Sequence, residues 1–261
     1  MSDDILVEKT TGRTAILTIN RPESRNSLLP ATGRRLAEAM NALGADADVR
    51  CIVITGAGGH FSAGADLRGS FVDDPNLMEN LEAVMDGYNA MIMSLVRNPK
   101  PVIASMDGAA VGIGADLAFA CDLRVAATTA YAQEKFVRIG LMPDGGGTFW
   151  LPRLLGTARA MKAMLLGDKM EAKELDALGL LAACVPKEQL RAATMELAQR
   201  LENGPPLAIA AMKEAVYASL GDLESALKRE RLGQLRLLKT EDAIEGVAAF
   251  VQKRDPSFKG R

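Results

Sequence analysis

Two short apolar runs separated by a polar turn open the chain. Residues 6–9 and 14–20 read as two strands around Thr11-Gly12-Arg13, with Ala15, Leu17 and Ile19 on one face, which predicts a hairpin. Arg21-Pro22 ends it. From about Pro30 the period becomes helical: Leu36, Met40 and Leu43 recur on one side and the charges fall elsewhere. Cys51-Ile52-Val53-Ile54-Thr55 has no polar alternation, the mark of a strand buried on both faces. Residues 75–98 return to a helical stripe of Leu77, Leu81, Val84, Met85, Tyr88, Met91, Ile92 and Leu95, stopped by Asn98-Pro99-Lys100-Pro101. Residues 101–106 form another buried strand, Asp107-Gly108 a turn, and Val111-Gly112-Ile113-Gly114 opens a run of helix formers over 115–120.

Further on, the pattern predicts strands at 123–127 and 180–185 and helices at 157–166, 171–178 and 187–202. Strand and helix alternating in this way indicate an α/β core with a largely parallel sheet. Gly204-Pro205-Pro206 breaks the pattern, so residues 1–203 are expected to form the core and 204–261 a helical extension. Leu207, Ile209, Met212, Val216 and Leu220 mark the first of its helices. Leu223, Leu227, Leu235 and Leu238 mark the second, and Ile244, Val247, Phe250 and Val251 the third. Apolar residues of this number on appended helices need a partner surface, which self-association would supply.

With 261 residues, 48% of them hydrophobic, the chain has material for one sizeable core. A net charge of −2 attracts neither nucleic acid nor an anionic membrane, so an anionic ligand would need a local basic patch. Cys51, Cys121 and Cys184 sit in apolar segments without metal-ligand spacing and read as buried thiols in a reducing compartment. No basic region followed by an apolar run opens the chain, and no window is apolar over the roughly 18 residues of a membrane span, so a cytoplasmic location is expected. His60 is the single histidine, and no Asp or Cys is patterned to orient it. Acid–base chemistry therefore falls to carboxylates.

Glycine-rich loops at residues 56–67, 108–114 and 140–148 are where ligands would meet backbone. A phosphate loop would need Lys and Ser or Thr after Gly112-Ile113-Gly114, and a dinucleotide fingerprint a small residue at Leu117; neither is present. Two uses remain for these glycines, close helix–sheet packing or main-chain amides that hold a developing oxyanion. Two converging amides and a carboxylate that moves an α-proton suit the chemistry of a thioester enolate.

Phe61-Ser62-Ala63-Gly64-Ala65-Asp66-Leu67, Gly108-Ala109-Ala110-Val111-Gly112-Ile113-Gly114-Ala115-Asp116 and Gly140-Leu141-Met142-Pro143-Asp144-Gly145-Gly146-Gly147-Thr148 resemble, in order, the signature blocks of the crotonase (enoyl-CoA hydratase/isomerase) superfamily. Residues 245–254 resemble its last helix. The resemblance implies a crotonase-like spiral of ββα units, C-terminal helices that mediate trimerisation, and a homotrimer or dimer of trimers. It implies an acyl-CoA thioester substrate, with coenzyme A carried by the substrate and no permanently bound cofactor or metal. Backbone amides of Ala65 and Ile113 would form the oxyanion hole. Ala63, Gly64, Ala65, Asp66 and Leu67 would border the adenine, Arg25 and Arg68 would lie near CoA phosphates, and Phe250 and Lys253 would reach a neighbouring subunit's CoA site.

The catalytic carboxylates depart from the hydratase pattern, in which two glutamates hold a water. Asp116 occupies the first position and Phe136 the second, with Glu134 two residues away. Asp144 matches the acid that isomerases of the superfamily carry after the proline, and the Pro-Asp loop with Trp150-Leu151-Pro152-Arg153 is closest to the ring-oxepin isomerase branch of phenylacetate degradation. Three readings stay open: an isomerase with Asp144 as base and Asp116 as helper, a hydratase using Asp116 with Glu134, and a catalytically silent acyl-CoA-binding scaffold.

Overall fold

In the computed structural model, which describes residues 4–69, 77–219 and 223–257, the N-terminal hairpin forms. β1 (Ile5–Lys9) pairs antiparallel with β2 (Thr14–Ile19), and β2 leads through α1 (Pro30–Ala45) to β3 (Cys51–Gly56). Then follow α2 (Leu77–Val96), β4 (Val102–Met106), β5 (Ala109–Val111), α3 (Ile113–Ala120), β6 (Leu123–Ala127), β7 (Tyr131–Gln133) and α4 (Gly147–Leu155). α5 (Thr157–Leu166), β8 (Lys169–Glu171), α6 (Ala172–Ala177), β9 (Ala183–Val185) and α7 (Leu190–Glu202) complete the core. Its larger sheet has the order β1-β2-β3-β4-β6-β9, parallel from β2 onward, and a smaller sheet has the order β5-β7-β8. β3 and β4 are buried runs, as expected of central parallel strands.

The two sheets are filled in turn. β4 joins the large sheet, β5 the small one, and α3 follows; β6, β7 and α4 repeat the order. Single parallel bridges Ser62↔Ala110 and Leu28↔Ala65 carry the same ladder back into the earlier turns. Each turn is thus a ββα unit of a spiral, and the crossings after β3 and β4 pass through glycine-containing loops. Four elements were not visible in the hydrophobic pattern. β5, β7 and β8 are three residues each, too short to show a period, and α4 begins on a glycine and contains Pro152.

Two expectations need correcting. Cys184 is half-buried, unlike Cys51 and Cys121, because β9 is the edge of the large sheet. The strand read at 180–185 narrows to β9 alone.

Three helices follow: α8 (Pro206–Ser219), α9 (Leu223–Leu237) and α10 (Glu241–Gln252). Leu220 and residues 75–76 lie outside the described residues. α8 is locked to the core by Lys213, whose Nζ donates to the carbonyls of Leu95 (2.9 Å) and Lys100 (3.0 Å) and pairs with Asp122 (2.8 Å). Tyr217 donates to the other Asp122 oxygen. α9 packs against α2 and α4, and α10 on the 3-10 turn Lys135–Ile139. The apolar stripe that marks α10 faces largely outward: Ile244 and Phe250 are 60% and 48% exposed. Its buried face is Ala243, Gly246 and Ala249, since a Cβ on Gly246 would stand only 2.5 Å from the Ile139 carbonyl carbon. No helix among the described residues is long and apolar enough to cross a membrane.

Candidate active site

Where the second and third turns of the spiral meet, two glycine loops touch. After β3 the chain runs through buried Ser62, whose hydroxyl donates to the Asn26 carbonyl and accepts from the Gly64 N–H. Gly64 has φ +90°, and a Cβ there would lie 2.5 Å from the Val111 carbonyl oxygen, so only glycine brings the loops this close. On one side of the bridge the Leu28 N–H donates to Gly64 O (2.7 Å) and Leu28 O accepts from the Asp66 N–H (2.9 Å). In a parallel ladder these bonds flank Ala65 and turn its own N–H to the opposite side. There it meets no acceptor among the described residues.

The second amide comes from the mouth of α3. Gly112 donates to Gln133 O, and its own carbonyl accepts from Ala115 and Asp116. Ile113 is the first helical residue, so its N–H has no intrahelical partner and sits at the positive end of the helix dipole. Buried Arg124 serves the other end, donating to the carbonyls of Ala118, Phe119 and Cys121.

Both amide-bearing residues line one cavity of about 180 Å³, together with Arg25, Ala63, Gly64, Leu67, Phe136 and Asp144. Asp144 is 4% exposed and follows Pro143 on the third glycine loop. Its Oδ2 accepts from Gln234 Nε2 (3.0 Å), and Oδ1 has no hydrogen-bond partner. Burial pushes its pKa from 3.8 up to about 7, against the opposing pull of the Gln234 hydrogen bond and its own backbone amide. Among the described residues Asp144 is the one carboxylate on the cavity wall. It is uncharged or charged according to small changes near neutrality, as a proton-transfer group should be.

Other candidates are placed differently. Asp116 is fully buried beneath the wall, where its Oδ2 accepts from the Gly145 N–H (3.0 Å); it holds the Asp144 loop instead of facing a ligand. Gly145 and Gly147 are both pressed against it, which explains glycine at those positions. Glu134 is buried off the cavity, and Phe136 lines it, its ring over Gly112. Asp66 points inward, paired with Arg21 (2.8 Å) and accepting from Ser27 and the Gly69 N–H, so it clasps the loop and stands away from the cavity. Arg25 stands on the cavity wall, whereas Arg68 and Lys253 are exposed away from it. Phe250, expected to serve a neighbouring subunit, lines the cavity of its own chain under Lys135, 5.2 Å from the ring centroid, because α10 folds back on residues 135–139. Sequence reasoning missed Gln234 and Lys135, which carry no motif and come from elements placed by packing. Among the described residues no cluster of three ligating side chains is suited to a metal ion.

Residues 9–261 match the family model described as enoyl-CoA hydratase/isomerase. A probable enoyl-CoA hydratase of Rhodobacter capsulatus is 40% identical over 95% of both chains. The 1,2-epoxyphenylacetyl-CoA isomerase of Escherichia coli K12 is 38% identical over 94% of both. Among solved structures, an enoyl-CoA hydratase from Mycobacterium avium subsp. paratuberculosis superposes with a TM-score of 0.89 at 35% identity, covering 98% of this chain and 99% of the other.

Proposed function

Since the chain belongs to the enoyl-CoA hydratase/isomerase family, we propose that it moves a carbon–carbon double bond within an enoyl-CoA thioester through an enolate held by the amides of Ala65 and Ile113. Asp144, as carboxylate, takes a proton from C2 of a 3-enoyl group. The electron pair passes into a dienolate whose negative oxygen lies between the two N–H groups. Asp144, now protonated, returns the proton at C4, leaving the conjugated 2-enoyl thioester and a regenerated carboxylate. Each such amide donor contributes about 2.7–4 kcal/mol of transition-state stabilisation, so the pair carries much of the barrier reduction. The CoA moiety is assigned to the rim formed by Arg25, Ala63, Gly64 and Leu67, and the acyl group to the wall of Phe136, Ile139, Leu141 and Phe250.

The observation that supports this reading is that, among the described residues, Asp144 is the single carboxylate on the cavity wall, beside two unengaged amides, with Phe136 where the resemblance puts a second acid. One acid is enough to shuttle a proton between two carbons. Adding water needs a second group to activate it, and an aromatic ring cannot. We also assign a homotrimer or a dimer of trimers, for which the exposed Leu207, Met212 and Val216 of α8 supply apolar surface.

The test gives the protein trans-3-hexenoyl-CoA and crotonyl-CoA in deuterated buffer. Conversion of the first to the conjugated isomer with little hydration of the second supports isomerisation. Rapid hydration of crotonyl-CoA would favour the hydratase reading, and absence of α-proton exchange in either would leave a binding scaffold.

A further inference from the structure

We propose that Gln234 of α9 is a positioning residue for Asp144, fixing the carboxyl so that one oxygen is tied back to the helix and the other is presented to the cavity. The inference rests on Asp144 being the base.

Gln234 is 1% exposed and lies on the same cavity wall. A glutamine this deeply buried is costly unless both ends of its amide are bonded. Here they are: Oε1 accepts from the Met142 N–H (3.4 Å) and Nε2 donates to Asp144 Oδ2 (3.0 Å). The Met142 contact decides which end faces Asp144, since a backbone N–H must meet the carbonyl end. The approach is close because the preceding residue is Gly233, where a Cβ would collide with Met142 Sδ. A leucine at 234 would fill the same space. The polar side chain instead ties the Met142 N–H and Asp144 together, and leaves Oδ1 as the unbonded oxygen of that carboxyl.

Among the described residues, other ionisable groups on the surrounding elements are engaged elsewhere or line the cavity wall. Asp116 of α3 is turned to Gly145, Arg153 of α4 lies over the Phe149 ring, and Arg231 of α9 pairs with Glu82 and Asp86 of α2. Arg25, Tyr131 and Lys135 are on the cavity wall. Donation by Gln234 favours the charged carboxylate, and its loss should raise the pH at which Asp144 becomes a base.

The experiment records the rate of trans-3-hexenoyl-CoA isomerisation against pH for wild type, Gln234→Met and Asp144→Asn. For Gln234→Met the rising limb is expected to move up by about one pH unit, the worth of a hydrogen bond to a charged group. Below the limb the rate falls roughly tenfold, and well above it the rate returns to within a few-fold of wild type. A limb that stays in place, with uniform loss at every pH, would overturn the inference and leave Gln234 a packing residue. Should Gln234→Met fail to fold, Gln234→Glu substitutes at equal size. Its limb must rise at least as far, because two carboxyls then share one proton, and an unmoved limb overturns the inference equally. Activity persisting in Asp144→Asn would refute the base itself, a different failure from an unmoved limb in the Gln234 variants.

Discussion

Replacing Asp144 by asparagine is expected to remove activity and to stabilise the fold, by an amount that grows with pH. The carboxyl is 4% exposed, and burial holds its pKa near 7 in the folded chain against 3.8 ordinarily. Between those two pH values the native state keeps a proton that the unfolded chain has released, so stability falls as pH rises. Below about 3.8 the penalty vanishes; above about 7 it is complete, at roughly 4 kcal/mol. Asparagine is neutral throughout, keeps the acceptor for Gln234, and escapes the penalty. Relative to wild type the gain should be about 2 kcal/mol at pH 5 and about 4 at pH 8, or roughly 5 °C more in Tm at the higher pH. Scanning calorimetry of both proteins at the two pH values measures this, and isomerisation should drop by at least about 100-fold. Equal Tm differences at both pH values, or a less stable variant at pH 8, would refute the picture of a carboxyl poised by burial.

Phe136→Glu restores a second carboxylate to the wall and should raise crotonyl-CoA hydration relative to isomerisation; an unchanged ratio in a product assay would contradict the role given to the phenylalanine. Gly64→Ala places a Cβ against the Val111 carbonyl at φ +90° and should displace the Ala65 amide, lowering kcat/KM roughly 100-fold with folding retained; near-normal turnover would argue against that amide as a donor. Lys213→Met orphans the carbonyls of Leu95 and Lys100 and should cost about 3 kcal/mol in denaturant unfolding, whereas an unmoved midpoint would show that α8 is held by other contacts.

Long periodic elements were legible in the sequence because their patterns record local burial. The hairpin, the buried strands β3 and β4, and helices α1 and α2 follow from that alone. The small sheet was not legible: its three-residue strands gain stability only by lying beside one another, a property of the spiral and not of any window. In α10 the apolar stripe does not mark the face that packs on its own chain: Ala243, Gly246 and Ala249 bury by being small enough to approach residues 135–139, and hydrophobicity does not measure approach. The candidate site divides the same way. The motif residues around Ala65, Ile113 and Asp144 do come together on one cavity. Side-chain direction was hidden, so Asp66 and Asp116, adjacent to the site in sequence, turn out to clasp loops from within. Gln234 lies ninety residues from its partner and could be found only once α9 was docked.

The central claim is that the Ala65 and Ile113 amides hold the thioester oxygen while Asp144 faces the carbons that exchange a proton. A crystal structure of the Asp144→Asn protein with trans-3-hexenoyl-CoA tests it most directly. The account predicts the thioester oxygen within about 3 Å of both amide nitrogens, and C2 and C4 on the side of residue 144. A thioester oxygen bound elsewhere, or an acyl chain running away from residue 144, would contradict it.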